Sequence, residues 1–202
     1  MKNIISLILF TLIINVSING QEQIDSVLNE AIKKQVQIKV GHLTEKIRQM
    51  ADKQTRIEIR KRIKTEALNL FVEKGNAYYE EGIRKDGVTM QTTSLFRKKT
   101  SMILIRNYFD RVINYNYSAV DISSTKFNYI EVSDLKPIGK NRYVCTACWE
   151  QAFLGYRDGV AVYGDRTRKN VRVYITIVET ATGRDNIIIQ LGDVTAKETR
   201  SY

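Results

Sequence analysis

The chain has 202 residues, 43% apolar and 27% charged, with 32 basic residues against 22 acidic ones and a formal net charge of +10. This composition excludes a disordered, collagenous or disulfide-stapled chain and supplies enough apolar residues to bury a core without cross-links. With a single proline and no repeat or low-complexity tract, it also excludes a long linker.

Residues 1–20, MKNIISLILFTLIINVSING, have the layout of a secretory signal. Lys2 supplies the positive start, and Ile4–Val16 is an apolar run too short for a membrane span. Cleavage is expected after Gly20, and because Lys2 is the only charge removed, the net charge of +10 falls to +9. The expected location is the periplasm, cell envelope or extracellular space. There the positive field matches an anionic envelope polymer or another protein better than nucleic acid.

From Gln21 to Ala51 apolar residues recur three or four apart (Val27, Leu28, Ala31, Ile32, Val36, Val40, Leu43, Ile47, Met50), which predicts a helix. Gly41 weakens it by about 1 kcal/mol, and residues 21–54 read as an N-terminal helical arm. Thr55-Arg56-Ile57-Glu58 has the spacing of a capping box before a second helix with Ile59, Ile63, Ala67, Leu70 and Phe71 on its apolar face, ending near Gly75. Tyr78–Gly87 reads as a polar connector, Val88–Thr93 as a short strand, and Ser94 to about Tyr115 as a third helix buried through Met102, Ile105, Phe109, Val112 and Ile113.

After Ala119 the apolar period changes to two. Ala119–Val132, with Val120, Ile122, Phe127, Ile130 and Val132, predicts two short strands or one bent strand, and Lys136–Asn141 a turn. Tyr143–Tyr156 is expected to be the central strand. One face carries Tyr143, Cys145, Ala147, Trp149, Gln151 and Phe153 and suits the core; the other carries Glu150. Arg157-Asp158-Gly159 turns out of it into a short strand at Val160–Tyr163. Val171, Val173, Ile175 and Ile177 line one face of the next strand. Thr182-Gly183-Arg184-Asp185 predicts a hairpin turn into Asn186–Val194, with residues 197–202 a frayed polar tail.

Cys145 and Cys148 stand three apart within a strand, so their α-carbons would lie about 10 Å apart, beyond the roughly 7 Å limit for a disulfide. Free thiols are expected. The only histidine, His42, lies in the first helix, so no zinc set and no His-based nucleophile pair can be assembled from nearby residues, and neither metal nor cofactor is expected. Glu150 is the catalytic candidate: enclosed among apolar groups, its carboxylate could act as a base, whereas on an outward face it is a surface charge. Asp121 alternates to the exposed side. The hairpin 157–172 gathers Arg157, Arg166, Arg168, Lys169 and Arg172 with Tyr163, a candidate surface for anions or glycans.

The order helix, helix, short strand, helix, then long antiparallel strands resembles the nuclear-transport-factor-like, or cystatin-like, α+β roll over about residues 55–196. The resemblance implies N-terminal helices followed by a strongly bent antiparallel sheet wrapping a helix into a cone, with dimerisation through the outer sheet face. It also implies three uses of the cone: acid–base isomerases or dehydratases, ligand binders, and assembly modules of secretion machinery. The reading is an exported non-catalytic binding or assembly module. The alternatives are a small-molecule isomerase, dehydratase or hydrolase using Glu150, or an anionic-surface binder using the hairpin 157–172.

Overall fold

A computed structural model describes residues 25–94, 99–124, 129–178 and 186–201. The expected signal segment, the first residues of the first helix, Phe127 and the turn Thr182–Asp185 lie outside the described residues. Among the described residues three α-helices sit on one side of a curled sheet: α1 (Ser26–Ala51), α2 (Ile57–Leu68) and α3 (Ile105–Ile113). The sheet contains β3 (Thr89–Ser94), β4 (Lys99–Leu104), β5 (Ala119–Ser124), β8 (Arg142–Arg157), β9 (Val160–Val178) and β10 (Asn186–Ser201) in the order β4-β3-β10-β9-β8-β5. Two short strands, β6 (Glu131–Val132) and β7 (Lys136–Gly139), also pair with β8. Among the described strands pairing is antiparallel except for the parallel bridge between Val194 of β10 and Met90 of β3, and an isolated parallel bridge joins Phe71 to Leu191. A separate hairpin is made by β1 (Tyr78–Glu80) and β2 (Ile83–Lys85). The fold is the expected α+β class, helices followed by a bent sheet that wraps them.

Alternation determines which side chains enter the core. Along β9, Val171, Val173, Ile175 and Ile177 are buried while their even-numbered neighbours are partly or fully exposed. Along β8, Tyr143, Cys145, Ala147, Trp149, Gln151 and Phe153 are buried, the face assigned to the core from the sequence. From Arg142 to Gly155 the strands match residue for residue, with Cys145 opposite Val173 and Trp149 opposite Lys169, before the register shifts between Gly155 and Tyr156. Asp158 and Gly159 have φ values of 51° and 81°, so both residues of the turn between the strands adopt the left-handed conformation a two-residue hairpin loop needs.

α1 is the first correction. Ile32, Val36, Val40, Leu43, Ile47 and Met50 are all 0% exposed and belong to the same core cluster as Trp149, Val173 and Leu191. This helix crosses the concave face, touching β5, β6, β8 and β10, so in packing terms it is the core helix and not an arm. The helix runs through Gly41 unbroken, which shows burial of a continuous apolar stripe outweighing the local propensity cost.

Six local expectations also change. The capping box does not form: Thr55 donates its hydroxyl to Asp52 Oδ2 at 2.8 Å, Gln54 N–H donates to Asp52 Oδ1 at 2.9 Å, and α2 starts at Ile57 with no side-chain cap. The third helix is shorter than expected because Lys99–Leu104 pairs with β3, Ser101 opposite Thr92, so a run of Thr, Ser and Ile goes to the sheet and helix begins only at Ile105. Tyr78–Gly87 contains a hairpin turning at Glu81 and Gly82, where φ is 50° and 80°. The supposed frayed tail continues β10, with Thr199 paired to Thr167 and Ser201 to Asp165. Similarly, Val160–Val178 is one continuous strand rather than two, and Lys136–Gly139 pairs with β8 before turning at Asn141.

Candidate functional site

The apolar packing stops before the open end of the curl. On the inner face of β9 the sequence Asp165, Thr167, Lys169 precedes Val171, so the same alternation that builds the core delivers polar groups to its mouth. Opposite them across the β8–β9 ladder stand Phe153, Gln151 and Trp149. The roof comes from α3 with Tyr108 and Arg111 and from Tyr115, Asn116 and Tyr117 after it. Thr92, Thr93, Lys99 and Ser101 close one side. All of these except the core residues Trp149 and Val171 line a cleft of about 790 Å³, in the size range of small-molecule sites.

One wall is aromatic. Phe153 meets Tyr115, Tyr117 and Tyr163 with ring centroids 5.2, 5.8 and 5.8 Å away, in edge-on or tilted geometry. Gly155 makes room for this wall: a β-carbon there would lie 2.7 Å from the Tyr117 ring. The wall is fixed from behind, since Lys53 Nζ donates to the carbonyls of Ile113 and Tyr115 at 3.2 and 2.8 Å and Arg60 donates to that of Ile113 at 2.8 Å. Two cations thus satisfy the free carbonyls at the C-terminus of α3.

The polar groups of the cleft are unusually placed. Lys169 is 5% exposed, with Nζ 3.7 Å from Met90 Sδ and 5.9 Å from the centre of the Tyr108 ring. Burial pushes its amine down from 10.5 to about 8, partly opposed by the attraction of Asp165. Asp165 shifts up, chiefly through burial, although it accepts a hydrogen bond from the Tyr163 hydroxyl at 2.6 Å. Burial likewise raises Tyr108 to about 12 and lifts Tyr115 well above the usual phenol range. Gln151 is 6% exposed and its Oε1 has no hydrogen-bond partner among the described residues. A buried amine, a half-buried carboxyl, protonated phenols and a free amide oxygen therefore converge on one space.

The residues singled out from the sequence divide between the two faces. Arg157, Tyr163 and Lys169 line the cleft. Arg166, Arg168 and Arg172 point outward: Arg166 pairs with Glu150 at 3.3 Å, Arg168 with Glu131 at 2.7 Å, and Arg172 with Glu80 and Glu81 at 3.2 Å each. The hairpin 157–172 is therefore not one basic surface, because consecutive residues of an extended strand cannot share a face. Glu150 is corrected in the same way. It is exposed, lies on the outer face opposite Arg168 in the ladder, and does not line the cleft. Glu150→Gln is accordingly expected to change stability by less than about 0.5 kcal/mol, a result that thermal unfolding would check.

His42 and Asp121 are exposed, on α1 and β5. Both cysteines are free: Cys145 is buried, with its thiol pushed up to about 12, and Cys148 is partly buried with its sulfur 2.9 Å from Arg168 Nε. Among the described residues no group of three or more His, Cys, Asp or Glu side chains could hold a metal ion. Tyr108, Tyr115, Gln151 and Asp165 were missed from the sequence as site residues. The available signal was Asp165, Thr167 and Lys169 occupying the inward phase of a strand whose next four inward residues are all apolar.

No family model and no curated protein matches the chain. Among solved structures, it is similar at a TM-score of 0.45 and 7% identity to a crystal structure described as "Putative Scytalone Dehydratase" from Novosphingobium aromaticivorans DSM 12444, over 87% of this chain and 91% of that one. A likeness at that level carries no functional information, and the chemistry of this chain rests on its own cleft.

Proposed function

We propose that this chain is an exported binding protein whose ligand is a small organic acid held in the cleft. The observation that supports this reading most directly is Lys169, an amine 5% exposed that lines a space of about 790 Å³. Burying a cationic group at the mouth of a core costs stability, and a ligand carboxylate offsets that cost by supplying the missing counter-charge. Among the described residues Lys99, Arg111 and Arg157 add three more cations to the lining against one carboxylate, Asp165, so the field favours an anion. Phe153 and the tyrosines around it offer flat apolar area for the rest of the molecule.

The test is a thermal-shift screen of small aliphatic and aromatic carboxylates at neutral pH. A ligand at about 100 times its Kd would raise stability by about 2.7 kcal/mol. The response is expected to disappear in Lys169→Met and to survive Arg166→Gln combined with Arg168→Gln on the outer face. No stabilisation by any carboxylate would overturn the reading. A response abolished only by the outer-face pair would support the surface-binding alternative.

A further inference from the structure

Lys169 stands apart from an ordinary binding cation. Among the described residues its Nζ meets a thioether, Met90 Sδ at 3.7 Å, and the face of the Tyr108 ring, 5.9 Å to its centre. Among the described residues no carboxylate comes within 4 Å of it. Asp165, four residues away on the same strand face, instead donates its charge from a distance while its Oδ2 is engaged by Tyr163. The backbone beneath Lys169 is held in the middle of the sheet, paired on one side to Trp149 and on the other to Ala196. The result is a single amine on a rigid strand, desolvated by sulfur and ring and open to the cleft. That is the environment in which a lysine acts as a nucleophile rather than a point charge.

We propose that the cleft captures an aldehyde or ketone function of its ligand as an imine on Lys169 Nζ. The proposal rests on the cleft reading above and narrows its ligand class to oxo acids. The step needs no oxidant or reductant. The Nζ lone pair adds to the carbonyl carbon as the C=O π pair moves to oxygen, giving a carbinolamine once an amine proton reaches that oxygen. The second amine proton then accompanies the hydroxyl as it leaves as water, and the nitrogen lone pair closes the C=N bond. An amine and a carbonyl become an imine and one water.

The groups facing this chemistry are Asp165 on β9, Tyr108 and Arg111 on α3, Tyr115 beyond it, Lys99 on β4 and Arg157 on β8. Asp165 and the tyrosines can relay the protons, and the cations suit the acid group of an oxo acid. With its amine at about 8, Lys169 is about one-tenth unprotonated at pH 7, whereas an exposed lysine near 10.4 is roughly one part in 2,500. Lower basicity takes back part of that advantage, leaving an expected preference of about 10- to 100-fold.

The experiment uses the full chain with glyoxylate as probe at pH 7 and cyanoborohydride to reduce any imine to a stable secondary amine, followed by peptide mapping. The first equivalent of adduct is expected on Lys169, at least about 10-fold ahead of any other lysine, and Lys169→Arg should lose it while the other lysines react as before. A non-carbonyl carboxylate found in the thermal screen should slow labelling at Lys169 alone. Adducts spread over exposed lysines, with Lys169 no faster than they are, would overturn the imine. If a carboxylate still stabilised the protein through Lys169 in that case, the binding reading would stand without it. If neither effect appeared, both would fall.

Discussion

Lys169→Met should make the protein more stable at neutral pH, by up to about 3 kcal/mol, because it removes a buried amine and keeps a side chain of similar length. The pH dependence makes the expectation specific. The amine drops from 10.5 in the unfolded chain to about 8 in the fold, so the folded protein loses its proton first. Below pH 8 both states are protonated and the full cost of burying the charge is present. Between pH 8 and 10.5 the unfolded state binds more protons, so the contribution of Lys169 to stability rises with pH, and the cost is gone above the upper value. Wild-type and variant should therefore converge across that window. Buried tyrosines such as Tyr108 act in the opposite direction above about pH 10, but they are common to both proteins and cancel in the difference. Urea unfolding of the pair at pH 7 and pH 10 provides the measurement. A variant less stable than wild-type at pH 7 would mean that Lys169 is satisfied within the fold and is not held for a ligand.

The second large effect concerns α1. Leu43 is 0% exposed beneath the sheet, and Leu43→Ala should cost about 3–5 kcal/mol through lost burial and a residual cavity. In a chain of this size that corresponds to a fall in Tm of roughly 6–20 °C. Ile38, 42% exposed on the same helix, serves as the control, and its replacement by alanine should cost under about 1 kcal/mol. Equal small shifts for both would show that the helix is an appendage after all. The expected contrast would also explain why truncation at residue 54 should leave no folded roll: the sheet would lose the apolar layer that covers Trp149, Val173 and Leu191.

Much of this fold is written in residue periodicity. The inner faces of β8 and the second half of β9 can be read directly, because Tyr143 to Phe153 and Val171 to Ile177 alternate cleanly. What could not be read depends on partners distant in sequence. Lys99–Leu104 becomes a strand because β3 offers it an edge, and Ser101 finds its partner in Thr92, not in its own helical turn. Thr55 has the spacing of a cap, but Asp52 is closer and takes its hydroxyl. The role of α1 was hidden for a different reason: its stripe shows that it is amphipathic but not which surface it covers.

The cleft was half visible. Arg157, Tyr163 and Lys169 were singled out for charge and aromaticity, and they do line it. Proximity in sequence groups them with Arg166, Arg168 and Arg172, whereas strand parity puts those three on the other face. Applying the period of two through residue 163 would have separated the two sets. Tyr108 comes from the first turn of α3 and Tyr115 from the segment after it, and no local pattern links them to β9.

The anchoring of α3 has a further consequence for how the cleft keeps its shape. Lys53 belongs to the segment between α1 and α2 and Arg60 to the first turn of α2, and they grip the carbonyls of Ile113 and Tyr115 from outside the cleft. The aromatic rim is thus a cantilever clamped at its root by two basic side chains that do not line the cleft. Its stiffness is a property of the start of α2 and the segment before it, so under the proposed cleft function substitutions at the clamp would alter ligand preference while every residue lining the cleft stays the same.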